Sequence, residues 1–231
     1  MGRKFDRSLI PPSPTLEFER NLWAQGLVIV GGIDEAGRGA LAGPVSAAVV
    51  VLPNQTDLEG ALLGVRDSKQ ISHKKRLHWA NEIRTIALAH ATGMASASEI
   101  DQYGIIPATR LAIRRALLAI EPLPEHLLVD ALRLPTVPIP QTSLIKGDAR
   151  ALSIAAASIL AKTARDAHML TLDATYPGYK FAENKGYGTA FHLAALKEYG
   201  PTSIHRRSFA PLRPTLFDTH DTKRTPNNSS V

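Results

Sequence analysis

Residues 28–52 read VIVGGIDEAGRGALAGPVSAAVVVL, and this stretch decides the fold. Val28, Ile29, Val30 and Ile33 lead into it; Val45, Val49, Val50 and Val51 lead out. Runs of β-branched residues favour strands, and Gly37 and Gly39 between them permit a tight turn. The expectation is strand, turn, strand, with Asp34 and Glu35 at the end of the first strand. Two adjacent carboxylates closing an apolar strand are unfavourable to bury unless something cationic meets them. A divalent metal is the natural partner. In a regular strand the two acids face opposite sides, so one site receives both only if the backbone turns there.

Upstream, residues 1–24 carry Pro11, Pro12 and Pro14 and then a helix-like piece over 16–23, which reads as an arm lying on the domain. Downstream comes a polar loop at 53–64, then a helix over 73–89 with Leu77, Ala80, Ile83 and Ala87 at helical spacing. A small-residue strand follows at 90–98. Pro107 suits the first turn of a helix running to 120, with Leu111, Ala112, Leu118 and Ala119 inward and Arg110, Arg114 and Arg115 outward. Leu127, Leu128, Val129 and Asp130 predict a short buried strand ending in an acid. Segments 137–140 and 143–145 predict edge strands, since the prolines between them disfavour a central position. Residues 150–172 form the strongest helix, with Leu152, Ala155, Ala156, Ile159, Leu160, Ala167 and Leu170 on its apolar face. A Gly- and Lys-containing loop at 176–188 and a helix at 189–199 close the pattern. This order predicts an α/β core on a mixed sheet with a helical C-terminal piece. The expected units are an arm (1–24), a catalytic domain (25–173), a helical substrate-binding region (174–213) and a tail of disordered composition (214–231).

The chain has 231 residues, 44% of them apolar, enough for a sizeable core. It has no cysteine, which excludes disulfides and thiolate metal sites and fits a reducing compartment. No apolar stretch is long enough to span a bilayer and the N-terminus has no apolar signal region, so a cytoplasmic location is expected; oligomeric state stays open, with a monomer as the default. With 27 Lys+Arg against 21 Asp+Glu, the net charge of +6 permits a polyanionic partner without requiring one.

Four acids carry the chemistry: Asp34, Glu35, Asp130 and Asp148. Acids at the carboxyl ends of strands point into the crevice where α/β sheets bind ligands. Asp148 precedes a helix, where an acid is often a cap, and Asp130 alone could serve a turn. Oxygen-only ligands suit Mg²⁺ or Mn²⁺. His73 and His78 have half of a zinc spacing but no second half, so they read as helix-surface residues. The glycines at 32–39 resemble a phosphate loop, but Arg38 and Gly39 replace its Lys and Ser/Thr. Gly37, Gly39 and Ala42 loosely fit a dinucleotide fingerprint, but that must open a helix, and Pro44 with the valines after it argues for a strand.

The motifs taken together resemble bacterial ribonuclease HII. They are GIDEAGRGALAGPV at 32–45, RDSKQIS at 66–72, LLVDA at 127–131, KGDA at 146–149, AAASILAKTARDAHM at 155–169, NKGYGTAFH at 184–192 and HRRSF at 205–209. They cover about residues 27–213 in the expected order. Gln70 stands where that family usually has a second Lys, and Ala131 where it usually has Gly. The resemblance implies a ribonuclease H-like fold and cleavage of RNA in RNA–DNA hybrids. It also implies cutting 5′ to single ribonucleotides embedded in duplex DNA, leaving 3′-hydroxyl and 5′-phosphate ends, with roles in ribonucleotide removal and replication. By match, Asp34, Glu35, Asp130 and Asp148 are its catalytic acids, and Asp34, Glu35 and Asp130 hold Mn²⁺ or Mg²⁺.

The same match carries over the substrate-binding residues. Gly37, Arg38 and Gly39 would read the 2′-hydroxyl, the group that distinguishes RNA from DNA. Tyr187 would stack on the sugar beside the junction. Lys69, Lys146, Arg150 and Lys185 would meet phosphates. Lys162 and Asp166, four apart on a helix, read as a structural pair; His192, Arg206 and Arg207 stay open. Competing readings are a nuclease for DNA junctions and an inactive hybrid-binding protein. The glycine turn with Tyr187 argues against the first, and four acids facing phosphates argue against the second. PTLFD at 214–218 is a possible docking motif for a replication factor.

Overall fold

The computed structural model describes residues 5–68 and 71–213. The chain runs α1 (Glu17–Trp23), β1 (Val30–Ala36), β2 (Val45–Val51), α2 (Leu58–Ala61), α3 (His73–Ile86), β3 (Ala89–Ala95), α4 (Ala97–Tyr103) and α5 (Ile105–Ala119). It continues β4 (His126–Asp130), β5 (Gln141–Leu144), α6 (Leu152–Thr175), α7 (Phe181–Asn184) and α8 (Ala190–Tyr199). The strands form one mixed sheet of order β3-β2-β1-β4-β5. β1 and β2 form the expected antiparallel pair. β1, β4 and β5 run parallel, with β5 at the edge.

Helices cover both faces. Ile33, Val45, Val49 and Val129 pack with Ala112, Ile113 and Leu117 of α5. Ala48 and Val50 pack on the other side with Ala80 and Ile83 of α3 and with Leu152, Ala155, Ala156 and Ile159 of α6. Residues 152–161 of α6 are buried all round, which alanine-rich composition permits because small side chains let backbones approach. Gly32 supplies the closest approach: a Cβ there would stand 2.2 Å from the Ser153 carbonyl carbon.

Several local expectations are corrected. α4 was not foreseen, although Ser96 and Glu99 form a complete capping box at its start. No strand forms over 137–140. The loops at 53–64 and 176–188 contain α2 and α7. Leu77, Leu118 and Leu170, expected inside, are exposed, as are Ala119 and Ala167. On α5 the buried set is Ala108, Thr109, Ala112, Ile113, Ala116 and Leu117, a stripe displaced by about one residue. On α6 it is Thr163, Arg165, Asp166 and Met169 that turn inward past residue 161. Buried hydrogen-bonding partners draw in Arg165 and Asp166, which an apolar pattern does not register, while Met169 packs with Leu41, Tyr179 and Phe181.

The N-terminal segment is stitched to the start of α6. The Leu152 N–H donates to the Thr15 carbonyl at 2.9 Å, and the Thr15 N–H donates to Arg150 at 3.1 Å. The N-cap residue of α6 is Ala151, which has no side chain to offer. Glu19 of α1 fills that role from 134 residues away. Its Oε1 accepts the Ser153 N–H at 2.8 Å and the Ser153 hydroxyl at 2.5 Å. Glu19 is fully buried, and burial pushes its carboxyl up. Glu19→Ala leaves both donors unsatisfied, and the expected loss is about 2–3 kcal/mol of stability. Denaturant unfolding checks this; an unchanged midpoint would contradict the capping role.

Candidate active site

The parallel strands β1, β4 and β5 end side by side, and the acids sit at those ends. Ile33 is in register with Val129, so Asp34 and Asp130 occupy the next rung. β5 ends at Leu144, and the 3-10 turn Gly147–Ala149 that follows carries Asp148. The Gly147 N–H donates to Asp130 Oδ1 at 2.6 Å, tying this turn to β4. The cap alternative for Asp148 fails, because Ala151 holds the N-cap position.

β1 does not turn between its two acids; it continues through Ala36. Asp34 is buried beneath the site, and its Oδ1 accepts the Glu35 N–H at 2.7 Å. Glu35 points to the other side of the strand and pairs with Arg38 at 2.9 Å. An open cleft of about 550 Å³ lies at the strand end, and Glu35 and Asp130 line it while Asp34 and Asp148 stand outside its wall. Its walls include Glu35, Gly37, Arg38, Gly39, Asp130 and Tyr187.

Asp34 carries the electrostatic signature. Burial pushes its carboxyl well above the usual carboxylate range, and the charges of Glu35 and Asp130 push it further. The Ser158 hydroxyl works against them, and that hydroxyl lies 3.0 Å from Ser68 Oγ. Three carboxylates crowded at strand ends, one forced upward by burial and further by the other two, fit a divalent cation that would relieve the repulsion. Among the described residues no three acids or histidines already stand as a closed metal cage. Glu35 is turned to Arg38 instead, and its carboxylate would have to swing to share a cation with Asp34 and Asp130.

The glycine turn is braced from beneath by two buried arginines. Arg165 donates to Pro44 O at 2.8 Å, Lys185 O at 2.9 Å and Ala42 O at 3.0 Å. Arg206 donates to Gly43 O at 3.0 Å and Arg38 O at 2.9 Å. Burial pushes both guanidinium groups down, but arginine starts so high that both stay charged at neutral pH. Gly37 has φ +90°, and a Cβ on it would lie 1.9 Å from Arg165 Nε. Gly39 differs, because a Cβ there meets nothing within 4 Å. The backbone therefore needs glycine at 37, while at 39 the missing side chain leaves room in the cleft.

The remaining carried-over residues divide. Lys146 is exposed and left-handed (φ 55°) and does not line the cleft. Arg150 stacks over Phe5 and Phe18, with its guanidinium 5.7 and 5.0 Å from the ring centres. Lys185 Nζ donates to Ala182 O. Lys69 lies outside the described residues, as does PTLFD. Sequence reading missed Ser68, Ile105, Lys162 and Phe209 as cleft walls. Ser68 and Phe209 sit inside motifs already singled out; Ile105 gave no signal. Lys162 does pair with Asp166, which Arg76 also contacts at 3.1 Å. It faces the cleft as well, with Nζ 5.7 Å from the Tyr187 ring centre. Arg206 and His192, left open by the sequence, are buried structural groups; Arg207 is exposed and its N–H donates to Asp101.

The family model for ribonuclease HII matches residues 31–212. The chain belongs to the ribonuclease HII family. Ribonuclease HII of Synechococcus sp. (strain JA-3-3Ab) is 54% identical over 200 residues, covering 87% of this chain and 90% of that protein. Ribonuclease HII of Archaeoglobus fulgidus, solved in a complex with PCNA, is 26% identical with TM-score 0.67, covering 83% of this chain and all of that one. Bst-RNase HIII, solved in complex with Mn²⁺, is 21% identical with TM-score 0.59 over 80% of this chain and 68% of its own, a likeness of fold. Like the ribonucleases HII it resembles, this protein is a ribonuclease H-type endonuclease acting on the RNA strand. No described helix is long and apolar enough to cross a membrane.

Proposed function

We propose that this endonuclease cuts RNA–DNA hybrids and also cuts 5′ to a single ribonucleotide embedded in duplex DNA, leaving 3′-hydroxyl and 5′-phosphate ends. The observation that carries this reading is the shared cleft, in which the Gly37–Arg38–Gly39 turn and Tyr187 line the same space as Glu35 and Asp130. Asp34, Glu35 and Asp130 would hold Mn²⁺ or Mg²⁺, with Asp148 as the fourth acid on the adjoining turn. Two such cations, when bound, activate water and stabilise the leaving oxygen of a phosphodiester. The protein's own residues do the choosing. The carbonyls of Gly37 and Arg38 each already accept one hydrogen bond, from the Ala40 N–H and from Arg206, and the turn's backbone groups would meet a 2′-hydroxyl, which both donates and accepts. Tyr187, backed by Arg165 at 5.3 Å, offers a ring for the neighbouring deoxyribose. Arg38 and Lys162 are the cleft cations for the phosphates at the cut; Lys69, Lys146, Arg150 and Lys185 would follow the flanking backbone. The Archaeoglobus relative was solved with PCNA, and PTLFD at 214–218 would be a docking segment for a replication factor here.

Tyr187→Ala is expected to slow cleavage at a single ribonucleotide roughly tenfold or more while cleavage of a long hybrid falls less. Paired initial rates on the two substrates test this. Equal losses on both would remove the sugar-reading role and leave Tyr187 as loop packing.

A further inference from the structure

Two histidines outside the cleft form a chain of hydrogen bonds whose direction is fixed at both ends. His192 and His205 are buried, 0% and 1% exposed, among the rings of Tyr179 and Phe181. Their Nε2 atoms lie 3.0 Å apart. The Thr202 N–H, which can only donate, points at His205 Nδ1 at 2.9 Å. That nitrogen is therefore bare, and neutral His205 carries its proton on Nε2. It donates this proton to His192 Nε2, which must be bare in turn. Neutral His192 then carries its proton on Nδ1 and donates it to the Tyr187 carbonyl at 2.9 Å, an atom that can only accept. A positive charge on either ring would set N–H against N–H within the chain. Burial agrees, pushing His192 down and His205 down to about 4.

The far end of this chain is the residue whose ring faces the substrate. The Tyr187 carbonyl also accepts the Thr189 N–H at 2.8 Å, and the loop is held further by Arg165 on the Lys185 carbonyl at 2.9 Å and by the Gly186 carbonyl, which accepts the Leu41 and Ala42 N–H groups at 2.8 and 3.2 Å. Gly186 thereby ties the loop to the segment after the glycine turn, and the histidine chain ties it to the C-terminal segment. We propose that His192 and His205 are positioning residues for Tyr187: the donor chain Thr202, His205, His192, Tyr187 sets the depth at which that ring meets the sugar beside the cut, and so sets the preference for a single ribonucleotide over a long hybrid. This rests on the reading of Tyr187 given above.

The test has a spectroscopic arm on the unaltered protein and a kinetic arm on variants. Long-range ¹H–¹⁵N correlation at neutral pH is expected to show His205 as the Nε2–H tautomer and His192 as the Nδ1–H tautomer; the reverse pair, or a charged ring, overturns the proposal. In the kinetic arm, the ratio of single-ribonucleotide to long-hybrid cleavage is measured with Mg²⁺. His205→Leu and His192→Leu are expected to lower the ratio roughly tenfold. His192→Asn, whose amide can donate from the Nδ1 position, is expected to restore most of it. If folded Leu variants keep the ratio while Tyr187→Ala lowers it, the histidine chain has no positioning role and the Tyr187 reading stands. If Tyr187→Ala also keeps the ratio, both fall.

Discussion

Asp34→Asn is expected to reduce cleavage by about a thousandfold or more while hybrid binding stays close to that of the unaltered protein. The argument is electrostatic. Asp34 lies at the end of a buried strand, with Glu35 and Asp130 raising its carboxyl further above the usual range. Asparagine keeps the shape and can still accept the Glu35 N–H, but it removes the charge that a divalent cation needs. The same geometry gives a second, independent readout. A carboxyl raised in the folded state contributes stability at low pH and loses it as pH rises through the raised value. Without metal, the unaltered protein should therefore lose stability over that rise, and Asp34→Asn should lose less. Denaturant midpoints across pH, with chelator present, check this. A variant that cuts at the normal rate would remove Asp34 from the chemistry, and identical pH profiles would remove the charge crowding.

The second large effect is expected at the glycine turn, where two glycines look alike in sequence and differ in structure. Gly37→Ala imposes a side chain at φ +90° and drives its Cβ into Arg165, whose three carbonyl partners prevent it from yielding. The expected cost is roughly 3 kcal/mol or more, with loss of cleavage on every substrate. Gly39→Ala meets no protein atom within 4 Å, so its folding should be nearly unchanged. If the main chain at Gly39 approaches the sugar, Gly39→Ala should still slow cleavage at a single ribonucleotide by about tenfold. Normal cleavage by folded Gly39→Ala would show that the sugar does not come close there. Normal stability of Gly37→Ala would contradict the account of the Arg165 brace.

What was legible in the sequence follows from which forces are local. The β1–β2 hairpin, the acid closing β4 and the long helix α6 each announce themselves through residues within one stretch, and all three form as expected. α4 is equally legible through the capping box of Ser96 and Glu99. Other features depend on partners distant in sequence. Asp148 looked like the natural cap for α6, but the capping carboxylate comes from Glu19. Arg165 occupies an inward position on α6 because it binds carbonyls at 42, 44 and 185, and hydrophobic periodicity cannot report that. The pleat correctly assigns Asp34 and Glu35 to opposite faces of β1; what it cannot supply is which of them lines the cleft, Glu35, and which lies buried beneath it, Asp34.

The most direct measurement is the position of the cut in a DNA duplex carrying one ribonucleotide, with Mg²⁺ and Mn²⁺ in parallel and all-DNA and long-hybrid controls. A single cut 5′ to the ribonucleotide, with a 3′-hydroxyl and a 5′-phosphate, absent from all-DNA and abolished by chelator, is the predicted result. A cut on the 3′ side, cutting that survives the chelator, or cutting of the long hybrid alone would contradict the account.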